Sequence, residues 1–186
     1  MTMNSAIRLP GFNAPAASFE APLEMLAACH GRIEQQCATL RRLVPHLAAH
    51  GADARARTAA ANVLRYFDTA ALQHHADEEE NLFPALLEAM AGSDAVCIRE
   101  MTERLSGEHR LLEAAWRRLR VPLARIAEGQ GQALSPEGVE AFAGLYTGHM
   151  ALEENELLPM AVRLLGEAQI ESIGRAMRER RGIGAV

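Results

Sequence analysis

Lysine is missing from this 186-residue sequence: all 19 basic residues are arginine, against 24 acidic ones, for a formal net charge of −5. The all-arginine usage reads as the coding bias of a GC-rich genome. An acidic chain lacks the positive field that grips phosphate backbones, so no nucleic-acid partner is expected. Aromatics are scarce at 4%, which leaves a core of Leu, Ala, Val, Ile and Met. Cysteine is limited to Cys29, Cys37 and Cys97, an odd number with no C-x-x-C spacing. That excludes a disulfide scaffold and fits a reducing, cytoplasmic compartment. No apolar run reaches the ~18–20 residues that span a bilayer, and no charged start leads into an apolar signal segment. No membrane association is expected. β-Branched residues are sparse and never alternate over a useful length, so no segment reads as a strand.

What the chain does have is apolar material, 49% hydrophobic, with helical punctuation. Residues 1–17 show no periodicity and read as an extended arm. Pro22 opens a first helix that runs to His50, with Gly51 as its stop and a late bend at Pro45. Asp53 caps a second helix that continues to about Met90, and Gly92–Ser93 stop it and start the next. The third runs from about Asp94 to Glu128. Ser135-Pro136-Glu137 opens the fourth, which ends near Leu165. A shorter fifth segment follows Gly166 over residues 166–186. Long amphipathic helices joined by short turns imply an all-α, antiparallel up-down four-helix bundle over residues 18–165.

Two helices carry the same text. His74-His75-Ala76-Asp77-Glu78-Glu79-Glu80-Asn81-Leu82-Phe83-Pro84 and His149-Met150-Ala151-Leu152-Glu153-Glu154-Asn155-Glu156-Leu157-Leu158-Pro159 both read H-x-x-x-E-E-x-x-L-(F/L)-P. Residues four apart share a helix face, so each segment offers an imidazole and a carboxylate to one point. Both pairs interrupt core stripes: Leu64, Phe67, Ala71, His74, Glu78, Leu82 in one, and Phe142, Tyr146, His149, Glu153, Leu157 in the other. His30–Glu34 and His109–Glu113 repeat the H-x-x-x-E spacing on the remaining helices. Ionised carboxylates within an apolar stripe are costly unless paired or bound to metal. Any one of these histidines is ordinary core polarity, but four on one level point to a metal centre. Imidazole and carboxylate donors suit iron, manganese and zinc. His75–Glu79 is the alternative register, about 100° around the helix. The stripe and the proline alignment favour His74–Glu78, leaving Glu79 and Glu154 outward or in support of the site.

These residues resemble the hemerythrin-like, HHE cation-binding family over about residues 22–165. The resemblance implies a non-haem centre of two iron ions, with iron ahead of zinc or manganese. His30, His74, His109 and His149 would be terminal ligands, and Glu78 and Glu153 would bridge. Oxygen-carrying hemerythrins have a second histidine one turn after the helix-3 histidine and an aspartate as the helix-4 bridge. Here those positions hold Glu113 and Glu153, which makes Glu113 a candidate oxygen ligand. The difference points away from simple oxygen carriage, toward iron handling or sensing of oxygen, nitric oxide or redox state. The implied partner is a small diatomic ligand or peroxide. A di-iron oxidase or peroxidase and a metal-free interaction module are the alternatives, in a monomer or homodimer.

Other residues read as structural. Cys29, Cys37 and Trp116 read as core, and Tyr146 as packed with its hydroxyl satisfied or close to the metals. Pro84 and Pro159 are expected to kink or end the ligand helices. The arginine-rich end, with Arg175, Arg178, Arg180 and Arg181, reads as a solvated helix terminus.

Overall fold

The structure, a computed structural model, describes residues 18–90 and 95–184. The expected arm over residues 1–17, the Gly92–Ser93 turn and the start of the third helix at Asp94 lie outside the described residues. Among the described residues every regular element is helical, in a bundle as expected. Helix α1 spans Pro22–His50, α2 Ala54–Phe67, α3 Ala70–Asp77, α4 Phe83–Ala89, α5 Ala95–Ala127, α6 Pro136–Leu152, α7 Leu158–Leu164 and α8 Glu167–Arg180. Helices α1, α2, α5 and α6 form a ring in which each packs on two others. Between α1 and α2, Gly51 takes a positive φ of 65° and returns its N–H to Leu47. Asp53 then caps α2 by accepting the Ala56 N–H at 2.8 Å. Ser135 caps α6 likewise, through the Gly138 N–H.

The second long helix is not continuous. It breaks at Asp68–Thr69, between α2 and α3. The Thr69 hydroxyl donates to the Arg65 carbonyl, and the Asp68 carboxylate accepts from Trp116 Nε1 and Arg120 Nε on α5. These bonds hold both residues outside a regular ladder.

Of the two roles expected of the prolines, kinking or ending the ligand helices, ending is not what they do. Helical structure continues past Pro84 and Pro159, but each is preceded by one π turn, over Glu78–Leu82 and Glu153–Leu157. Proline has no N–H to return to the carbonyl four residues back. The residue before it compensates with a longer bond: Phe83 N–H reaches the Glu78 carbonyl, and Leu158 N–H reaches that of Glu153. Each π turn thus starts at a carboxylate of the repeated motif. An added residue in the turn changes which side chains face inward, and such bulges recur at functional sites.

Two apolar cores flank one polar level. One gathers Ile33, Leu40, Val63, Phe67, Leu112, Trp116, Phe142 and Tyr146. The other gathers Leu26, Leu82, Leu86, Leu105, Leu157, Ile173 and Met177. His30 lies between Leu26 and Ile33, and His109 between Leu105 and Leu112, so the histidines occupy the seam.

Helix α8 packs back onto α1, α3 and the first π turn. Its terminus is not simply solvated. Arg180 and Arg181 both pair with Asp77, whose side chain is fully buried, and Arg180 also reaches Glu80 and Asn81. A buried carboxylate needs such partners, which is why two arginines turn inward. Among the described residues no helix is long and apolar enough to cross a membrane.

Candidate metal centre

His30, His74, Glu78, His109, His149 and Glu153 meet at the seam between the two cores, each only 1–2% exposed. They form two overlapping sets of converging donors: His30, His74, Glu78 and Glu153, and Glu78, His109, His149 and Glu153. Both carboxylates belong to both sets, and each divides its oxygens. Glu78 Oε1 lies 3.3 Å from His74 Nε2, and Glu78 Oε2 lies 3.3 Å from His109 Nε2. Glu153 Oε1 lies 3.3 Å from His149 Nε2, and Glu153 Oε2 lies 3.0 Å from His30 Nε2.

None of these four contacts has the angular geometry of a good hydrogen bond. His30 Nε2, both nitrogens of His74, Glu78 Oε2 and both oxygens of Glu153 are buried without a hydrogen-bond partner. Orphaned buried polar atoms are rare and costly. The spacing is that of neighbouring donors around an ion with bonds of about 2.0–2.2 Å. His109 Nε2 and His149 Nε2 lie 3.1 Å apart, and the remaining nitrogen and carboxylate oxygen donors, closely spaced and mostly unpartnered, fit a metal site.

Three histidines are oriented from behind. Glu154 holds His30 Nδ1 at 2.8 Å, Glu79 holds His109 Nδ1 at 2.7 Å, and Glu108 holds His149 Nδ1 at 3.1 Å. An ionised carboxylate only accepts, so Nδ1 donates, and each ring would present its Nε2 lone pair to a metal bound at the centre. Each orienting carboxylate comes from a different helix than its histidine, which ties the four arms of the bundle together. The sequence carried a signal for them: both motifs double the glutamate, and Glu108 immediately precedes His109. His74 alone among the four has no such partner.

The electrostatics are those of a site tuned for cations. Burial alone would lower the His30 imidazole, but the Glu153 and Glu154 carboxylates raise it to about 10. In the metal-free protein a proton therefore sits where the ring would otherwise hold a cation. Burial pushes His74 and His75 well below the ordinary histidine value, helped by the surrounding imidazoles. Burial and the facing Glu153 push the Glu78 carboxyl well up. Burial acts on Glu153 in the same direction, but His30 and His149 outweigh it and hold that carboxyl low.

Glu113 is not brought to the centre. Its side chain is 43% exposed and pairs with Arg117 at 2.7 Å. One turn along α5 from His109, it comes to line a surface pocket instead. Glu34 is exposed as well. His75 is the unexpected neighbour. Its ring stacks on His109 at 4.0 Å and 14°, and one of its nitrogens lies within 4.8 Å of donors on His109 and His149. The tandem His74-His75 was its only signal, and a single-register reading of the helix sets one of the two aside.

The remaining candidates are structural. Cys29 and Cys37 are buried, and burial raises both thiols, Cys37 to about 12. Trp116 is core, with its Nε1 donating to Asp68 at 2.9 Å. Tyr146 packs against Phe67 and Phe142 and lies 6.0 Å from the His75 ring.

The family model for the hemerythrin HHE cation-binding domain matches residues 21–161. An uncharacterized protein of Haemophilus influenzae (strain Rd) is 31% identical over 167 residues, covering 90% of this chain and 94% of that one.

Proposed function

Taking as premise that this chain belongs to the hemerythrin HHE cation-binding domain family, we propose that it holds two iron ions and uses them to bind or sense a small ligand. The observation that carries this reading is the sharing of Glu78 and Glu153 between two histidine pairs, one oxygen to each. His30 and His74 would hold one ion and His109 and His149 the other, with both carboxylates bridging. Such a centre supplies redox-active iron able to coordinate oxygen, nitric oxide or peroxide.

The chain's own residues set how that centre behaves. Glu154, Glu79 and Glu108 keep the Nε2 lone pairs directed inward and raise the donor strength of their rings. The two apolar cores exclude water on both sides, so electrostatic interactions at the seam are strong.

The test is to purify the protein under reduced oxygen and measure its metal content and visible spectrum. About two irons per chain, with an oxo-bridged absorption developing in air, supports the reading. No iron bound, and none taken up on reconstitution, refutes it. Catalytic peroxide consumption with a reductant, in place of stoichiometric binding, would move the protein to the oxidase or peroxidase class.

A further inference from the structure

A pocket of about 250 Å³ opens on the surface between α3 and α5. Its exposed members are Leu72, Glu80 and Arg110, Glu113 is half-buried, and its inner end is formed by His75 and His109. His30 and His74 do not line it. Of the six converging residues only His109 lines the pocket, which therefore approaches the centre on its His109 side, and the two halves are unlike although each has two histidines.

Acidic groups around the pocket are already neutralised. Glu79 takes Arg110 at 2.7 Å, Glu113 takes Arg117 at 2.7 Å, and Glu80 pairs with Arg180. No unpaired carboxylate of this lining would repel a small anion. At the inner end the His75 Nε2 is buried and has no hydrogen-bond partner. A metal lies in the plane of any imidazole that ligates it. The His75 and His109 rings are nearly parallel and in face contact, so both cannot ligate one ion as they stand. His75 is left as a polar group beside the centre with nothing of the protein to bond.

Resting on the di-iron reading above, we propose that this pocket admits a small metal-coordinating anion or diatomic molecule to the His109–His149 half, where His75 Nε2 hydrogen-bonds it. His75 is thus a ligand-positioning residue and not a metal ligand. Leu72, 49% exposed, stands at the entrance.

The experiment uses the iron-loaded protein and azide, which gives a charge-transfer absorption on ferric iron. The wild type, His75→Phe and Leu72→Trp are compared for iron content, azide Kd and azide association rate. Phenylalanine keeps the stack on His109 and removes the nitrogen. His75→Phe is expected to retain two irons per chain and bind azide roughly three- to tenfold more weakly, the loss of one hydrogen bond. Leu72→Trp is expected to slow association severalfold with Kd little changed. Three results would overturn the proposal: iron falling to one per chain or fewer in His75→Phe, which would make His75 a metal ligand; an unchanged azide Kd in His75→Phe; or an unchanged association rate in Leu72→Trp. A wild type that carries two irons but takes no azide also overturns it. A wild type that takes up no iron refutes the di-iron reading instead, so the two failures are distinct.

Discussion

Glu79 accepts the His109 Nδ1 proton at 2.7 Å while its second oxygen takes Arg110 at 2.7 Å. The carboxylate is fixed on both sides, and the imidazole is fixed by it. Glu79→Gln would offer His109 a neutral partner able to present either an oxygen or an N–H. Metal affinity at that half is expected to fall about 10–100-fold, the usual cost of removing such a partner. Chelator competition on Glu79→Gln and the wild type measures it; equal affinities would mean that Glu79 serves only its surface ion pair.

Glu78 carries a prediction with opposite signs in two states. In the metal-free protein its carboxyl is buried beside Glu153 and pushed well above the ordinary range. Removing that desolvated acid by Glu78→Gln should stabilise the stripped protein, on the order of 1 kcal/mol. The same change should destabilise the protein measured with iron, because ligand binding to the folded state is lost. Thermal unfolding of both proteins, with iron and with chelator, checks the inversion.

Asp77 is fully buried and is satisfied by Arg180 and Arg181 from the last helix. Replacing both arginines with alanine leaves an uncompensated buried charge next to Glu78, at a cost of about 3–5 kcal/mol. Arg181→Ala alone should cost much less, since Arg180 remains. Urea unfolding of the single and double variants tests this, and equal small effects would show that α8 is merely appended.

Stability should depend on pH differently with and without metal. His74 and His75 titrate well below 6.5 when folded, so below pH 6.5 the unfolded chain binds more protons and stability falls as pH drops. His30 runs the other way: raised to about 10, it stabilises fully below 6.5 and loses that contribution as pH rises toward 10. Glu78, raised as well, adds to the loss on the alkaline side. The stripped protein should therefore be most stable near pH 6.5, with each differing proton worth about 1.4 kcal/mol per pH unit. A metal takes the proton's place on His30, so loading should flatten the alkaline limb and steepen the acid one. Melting curves from pH 5 to 9, with and without iron, would show it.

The bundle and the six converging side chains were legible because helical periodicity is local. His30, His74, His109 and His149 each interrupt an apolar stripe, and that needs only neighbours in sequence. The π turns were not legible from a fixed 3.6-residue period, which sends Glu79 and Glu154 about 100° away from Glu78 and Glu153. Pro84 and Pro159 held the clue, since the missing N–H must be absorbed somewhere in the preceding turn. The break at Asp68–Thr69 depends on Trp116 and Arg120 of another helix. The Asp77 pairing comes from arginines over 100 residues away. Neither leaves a local trace. Glu113 failed for a related reason: spacing puts it one turn from His109, but Arg117 one turn further holds it at the surface.

The most direct measurement is anomalous diffraction at the iron edge from crystals of the iron-loaded protein. Two peaks are expected, one among His30, His74, Glu78 and Glu153 and the other among His109, His149, Glu78 and Glu153, with both carboxylates touching both. A single peak, or iron held away from Glu78 and Glu153, would contradict the shared-carboxylate centre.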